Sequence, residues 1–197
     1  VDAGACNSSN VVEEGETKSS KEPKKVSVKQ QRKYAEALCK AVREENLTMI
    51  QLLLAKDETN VNKVGAEGMA PLHWACGMGS TSVVELLLTA DSIDTNQAES
   101  GGCTPLFLAC GQGNTPVVEL LLAASDIEVN QTSTDDGSTP LFMACENGYA
   151  TTVELLLAAS GIDANQPRTT TGSSPLYIAC QNGHTPIVEL LLAVSDI

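Results

Sequence analysis

Pro105-Leu106-Phe107-Leu108-Ala109-Cys110, followed past Gly113 by Val117-Val118-Glu119-Leu120-Leu121-Leu122, decides the fold, because the chain repeats it. The first block occurs also as Pro71-Leu72-His73-Trp74-Ala75-Cys76, Pro140-Leu141-Phe142-Met143-Ala144-Cys145 and Pro175-Leu176-Tyr177-Ile178-Ala179-Cys180. The successive offsets are 34, 35 and 35 residues. The second block recurs with the same offsets at 83–88, 152–157 and 187–192. A fainter copy lies upstream, where Leu38, Ala41, Ile50 and residues 52–54 each precede their counterparts by 34 residues. A fixed period of this length marks a repeat architecture, here of five copies.

Each copy reads as two short helices. Thr104-Pro105, Thr139-Pro140 and Ser174-Pro175 put a capping hydroxyl before a proline at the first helical position, where its missing N–H is harmless. Thr115-Pro116 and Thr185-Pro186 repeat that signal before the second helix, and Gly79, Gly113, Gly148 and Gly183 fall in the turn between. Asn-, Gly- and Thr-rich stretches such as 96–102 and 130–137 then lead to the next copy. The second block is the buried seam, with Glu85, Glu119, Glu154 and Glu189 pointing outward.

Gly102-Cys103-Thr104-Pro105-Leu106, Ala109-Cys110, Gly113, the Val117-to-Leu122 block and Asn130 together resemble the ankyrin repeat, over residues 34–197. The resemblance implies an all-α solenoid of helix-turn-helix pairs with fingertip loops. Three departures stand out. The family's His in the first helix survives as His73 but becomes Phe107, Phe142 and Tyr177. Asp91-Ser92, Ser125-Asp126 and Ser195-Asp196 replace the Gly that closes the second helix, with one residue added, and only Ser160-Gly161 keeps it. The loop at 132–137 is also a residue longer.

The 197 residues are 42% hydrophobic but only 3% aromatic, so the core is aliphatic. Net charge is −13, unevenly spread. Residues 1–33 carry seven basic and five acidic side chains, 34–63 four and five, and 64–197 one, Arg168, against fifteen. We divide the chain into a polar, basic-leaning arm, 1–33, whose composition suits disorder, and a repeat domain, 34–197. The arm's Lys18-to-Lys33 stretch is a candidate to lie against the acidic body. This balance excludes general nucleic-acid binding and anionic membrane surfaces. No apolar run approaches a membrane span. The first copy has a polar outer face, with Lys33, Glu36, Lys40, Arg43 and Glu44. The last ends soon after Leu190-Leu191-Leu192 with none, so the chain is expected to continue past Ile197 or to be covered there by a partner. The opening Val1 suits a processed or partial chain.

The chemistry-bearing residues read as structure. Cys76, Cys110, Cys145 and Cys180 hold one repeat position, and stacked helices lie ~8–10 Å apart, beyond the ~7 Å Cα span of a disulfide. They are expected to be small buried hydrophobes; Cys39 belongs to the first helix, and Cys6 and Cys103 are expected to be more exposed. Free buried thiols suit an intracellular reducing compartment, the cytoplasm by default, with a plastid stroma or mitochondrial matrix as the organellar alternative. His73 and His184 occupy structural positions, Asp135-Asp136 is expected to be solvated, and Gly111-Gln112-Gly113 is a turn rather than a phosphate loop. No catalytic set, metal site or cofactor is expected.

The resemblance implies a binding surface on the fingertip loops and the inner face of the first helices. By position this selects Val64, Ala66, Glu67, Met69 and Met78 in the second copy, and Ala98, Ser100, Cys103 and Gln112 in the third. In the fourth it selects Asp135, Asp136, Ser138, Glu146 and Asn147, and in the fifth Arg168, Thr171, Ser173, Gln181 and Asn182. Met69 and Met78 give an apolar end, and Asp135, Asp136 and Glu146 an acidic middle. The expected function is protein binding, as a non-catalytic scaffold or adaptor whose partner has a basic or mixed apolar and basic surface. The alternatives are an extrinsic linker or assembly subunit of a large complex, organellar membrane complexes included, and a regulatory array of a larger enzyme.

Overall fold

The computed structural model describes residues 27–56 and 59–194. The arm through residue 26, with Cys6 and Lys18, lies outside them, as does Ser195-Asp196. The described residues form ten helices and no strand: α1 (Val28–Arg43), α2 (Leu47–Leu54), α3 (Pro71–Met78), α4 (Thr81–Leu88), α5 (Pro105–Gln112), α6 (Thr115–Leu122), α7 (Pro140–Asn147), α8 (Ala150–Leu157), α9 (Pro175–Gln181) and α10 (Thr185–Leu192). The first helix begins at Val28, capped by Ser27, inside the stretch assigned to the arm.

First-helix capping follows the Thr/Ser-Pro signal. Thr104 and Thr139 accept from the N–H of Phe107 and Phe142 at 3.1 and 3.0 Å, and Ser174 from Tyr177 at 3.1 Å. The second helices depart from it. Thr115 and Thr185 are their first helical residues, and the caps are Asn114 and His184, neither with a side-chain cap bond. Thr115 instead meets the Thr152 hydroxyl of the next repeat at 2.8 Å.

The inter-helix turn shows how neighbouring copies are matched. Gly113 has φ 68°, and a Cβ there would lie 2.6 Å from the Tyr149 ring of the next copy. Glycine is thus required both by backbone conformation and by close approach. The first copy has Glu45 at this position, at φ 51°, and there the facing residue is the small Ser80, which donates to the Glu45 carboxylate.

Odd-numbered helices pack in one column and even-numbered helices in another, and each pair also packs within its copy. One pair cannot bury its apolar stripe alone; the stack does so jointly. Leu72, Leu106 and Leu141 from the first column meet Leu87, Leu121 and Leu156 from the second in one continuous core. Glu85, Glu119, Glu154 and Glu189 face solvent, as the pattern requires. Cys76, Cys110 and Cys145 are buried within the core, but Cys180 is exposed, a correction to the expectation. Its helix, α9, is the last of its column among the described residues, so no further described helix covers it.

Polar side chains stitch the backbone from copy to copy. Asn62, Asn96 and Asn130 donate to the carbonyls of Ser92, Asp126 and Gly161 at 2.6, 2.6 and 2.7 Å. The same amides accept from the N–H groups of Asp94, Glu128 and Asp163 at 2.9, 2.8 and 3.0 Å. These bonds satisfy loop groups that no regular element serves.

Candidate partner-binding surface

In α3 the core takes Leu72, His73, Ala75 and Cys76, which leaves Trp74, Gly77 and Met78 on the opposite side. Spacings of three and four place these on one helical face. Leu108, Gly111 and Gln112 form the same face of α5, and Met143, Glu146 and Asn147 that of α7. The row is graded: aromatic and apolar on α3, mixed on α5, acidic and amide-bearing on α7.

The fingertip loops flank this row. Each closes on a backbone bond: Gly65 N–H to the Met69 carbonyl at 3.0 Å, Glu99 to Cys103 at 3.1 Å, Ser133 to Ser138 at 2.9 Å and Arg168 to Ser173 at 2.9 Å. Adjacent loops are tied as well, Thr134 N–H to the Gly101 carbonyl at 2.8 Å and Thr170 to Asp136 at 3.2 Å. The loops of the third, fourth and fifth copies are thus tied in sequence.

Most residues selected by position lie on this surface. Val64, Ala66, Glu67, Met78, Ala98, Ser100, Gln112, Asp135, Asn147, Thr171, Gln181 and Asn182 are exposed, and Met69, Cys103, Asp136, Glu146, Arg168 and Ser173 are half-buried. Ser138 is fully buried, at 0%, and therefore offers a partner nothing. Two amides are already engaged: Asn147 donates to the Gly111 carbonyl at 3.2 Å and Asn182 to the Glu146 carbonyl at 2.8 Å.

The acidic middle is not a free acidic patch. Arg168 pairs with Asp136 at 2.9 Å and Glu146 at 3.4 Å, and its Nε donates to Ser138 at 2.8 Å. Its guanidinium also lies 4.4 Å from the Phe142 ring centre. The one base of the acidic body thus offsets part of the charge of its middle, and of the three expected acids only Asp135 is both exposed and outside this pairing. Asp136 is not simply solvated either. Burial alone would raise its pKa, but hydrogen bonds from Ser133 and Ser138 and the Arg168 charge outweigh it and hold the carboxyl below its usual value.

The apolar end holds features the position-based selection missed. Arg43 from α1 lies 5.2 Å from the Trp74 ring centre and pairs with Glu67. Together with Glu36, Cys39, Gly65 and Ala66 they line a pocket of ≈ 60 Å³. The 74/77/78 spacing, on a helix whose other side was already assigned to the core, is the signal that could have found Trp74. Arg43 carries no such signal, because its partner Glu67 is 24 residues away.

Burial pushes the His73 pKa down, only partly offset by backbone groups of Gln97 and Cys103. Burial, with Glu99 and two aspartates nearby, pushes the Cys103 thiol up to about 12, and Cys145 is likewise pushed up to about 12 by burial. Buried thiols so shifted are poor nucleophiles. Among the described residues no group of three or more His, Cys, Asp or Glu is placed to hold a metal. Among them, too, no helix is long and apolar enough to cross a membrane.

A family model described as ankyrin repeats (3 copies) matches residues 17–99, 38–133, 91–168 and 128–197. The chain belongs to the ankyrin-repeat family, whose members are generally protein–protein interaction modules and typically non-catalytic. A comparison with curated proteins returned no match.

Proposed function

We propose that this protein is a non-catalytic scaffold or adaptor that binds a protein partner along the outward row of its first helices and the adjoining fingertip loops. One observation carries the reading: Met78 (43% exposed) stands beside Trp74, which lies under Arg43 of α1, and the half-buried Leu108 and Met143 continue the apolar row on α5 and α7. Surface aromatics and methionines at the centre of a rigid face are typical binding anchors. Each loop is closed by its own backbone bond, and those of the last three copies are tied to one another, so binding needs little ordering. The partner places apolar side chains against Trp74 and Met78 and basic ones beside Asp135. Buried free thiols at Cys76, Cys110 and Cys145 support a reducing compartment for the protein.

The test is native mass measurement of the particle carrying this chain, with its neighbours identified, for the unaltered protein and for Met78→Glu. A particle of fixed composition that dissociates in the variant supports the reading. A free monomer near 20.6 kDa, or a particle indifferent to the variant, overturns it.

A further inference from the structure

The opposite edge of the solenoid, where the second helices end, carries a second surface. Two open grooves of ≈ 550 and ≈ 470 Å³ lie there, between the ends of α4 and α6 and between those of α6 and α8. Their linings are equivalent: Leu88, Ala90 and Ile93 in the first correspond to Leu122, Ala124 and Ile127 in the second. Both grooves include Ala124 and Ser125, so they form one lane across three copies, with the aliphatic Leu88, Ile93, Leu122 and Ile127 set among polar groups at Asp91, Ser125, Asp126 and Ser160. The lane runs along the stretch where this sequence departs from the family pattern, at Asp91-Ser92 and Ser125-Asp126.

Charge selects the occupant. The exposed carboxylates Asp91 and Asp126 line the lane, and neither forms an ion pair among the described residues. Every ion pair among the described residues instead involves α1 or the fingertip residue Arg168. The ends of α4, α6 and α8 point their carbonyls into the same edge with no basic residue in the last turn, which adds negative potential. One copy upstream, Lys56 holds the position of Ala90 and lies 5.2 Å from the Tyr34 ring centre, and neither it nor Lys63 forms an ion pair with a described carboxylate. A lane of mixed lining, with aliphatic side chains beside carboxylates that form no ion pair, fits a basic segment with spaced apolar anchors.

The repeat spacing sets the register of that segment. Equivalent grooves recur every ~8–10 Å, the distance between stacked helices. A polyproline-II chain rises about 3.1 Å per residue with three residues per turn, so every third side chain points the same way about 9 Å further on. We propose that this edge docks an extended basic segment of a protein partner, with an apolar residue at every third position entering the grooves and Lys or Arg between them meeting the carboxylates. This surface is separate from the first-helix row, and either can fail without the other.

The probe is a labelled twelve-residue peptide of four Leu-Lys-Lys units, titrated into the full chain and followed by anisotropy and by amide chemical shifts. The inference predicts shifts at Ala90, Ala124 and Ile127. It also predicts about tenfold weaker binding to Asp91→Asn/Asp126→Asn, with little change in Glu44→Gln/Glu189→Gln, which loses the same charge elsewhere. Ala123→Gln, which fills the groove at an exposed helix cap, should weaken binding while leaving the fold intact. A Gly-Lys-Lys peptide should bind at least several-fold more weakly. Equal binding of the two peptides, equal loss in both double variants, or shifts centred on the fingertips would overturn the proposal.

Discussion

Replacing Arg168 by methionine keeps an unbranched stem beside Phe142 but removes the charge and the donors. The arginine is 20% exposed and holds Ser138 at 2.8 Å, Asp136 at 2.9 Å and Glu146 at 3.4 Å. A hydrogen bond to a charged group contributes about 1.5–3 kcal/mol when sequestered from water. Asp136 and Glu146 are 35% and 29% exposed, so water recovers much of their solvation and each pair contributes nearer ~1 kcal/mol. Loss of the stack on Phe142 adds ~0.5–1 kcal/mol. The expected destabilisation is ~2–3 kcal/mol. In a solenoid that loss falls on one interface, between the fourth and fifth copies, because each copy touches only its neighbours. Hydrogen exchange of amides in α9 should therefore quicken by roughly 30- to 150-fold, while amides in α3 and α5 change little. Unchanged exchange in α9, or equal loss throughout the stack, would refute the clamp and return Arg168 to the pool of free surface residues.

Asp136 has a folded pKa held below its usual value, so its stabilising contribution is full above the unfolded value near ~3.9 and is lost as pH falls through the folded one. Urea unfolding should show stability dropping on acidification below about pH 4, and Asp136→Asn should flatten part of that limb; an identical slope in the variant would count against it. Cys180 is the exposed member of its repeat position, so a maleimide should label it in the native protein well before Cys76, Cys110 or Cys145. Mass-mapped labelling that reaches Cys110 as fast as Cys180 would contradict that order.

The repeat spacing made the helix pairs and the buried seam legible before any coordinates. Leu87, Leu121 and Leu156 recur in register because each solves the same local packing problem, and the Thr/Ser-Pro pairs announce their helices because capping is a matter of three neighbouring residues. The candidate site was legible only as a set of positions. Ser138 shares its kind of place with exposed loop residues, yet it is buried because Arg168, thirty residues on, folds over it. Thr115 looked like a cap, but its hydroxyl found Thr152 in the next copy.

By itself, then, the sequence determined what depends on periodicity and near neighbours: the helix pairs, their order, the aliphatic core and the outward glutamates. Only the tertiary structure decided where the charge is felt. Fifteen acids and one arginine between residues 64 and 197 read as a uniformly acidic body. Stacking brings that arginine onto Asp136 and Glu146 and places Asp91 and Asp126, which form no ion pair, in the lane at the other edge. Which charges meet depends on through-space distances between copies, and a linear chain does not display those distances until its neighbours are packed.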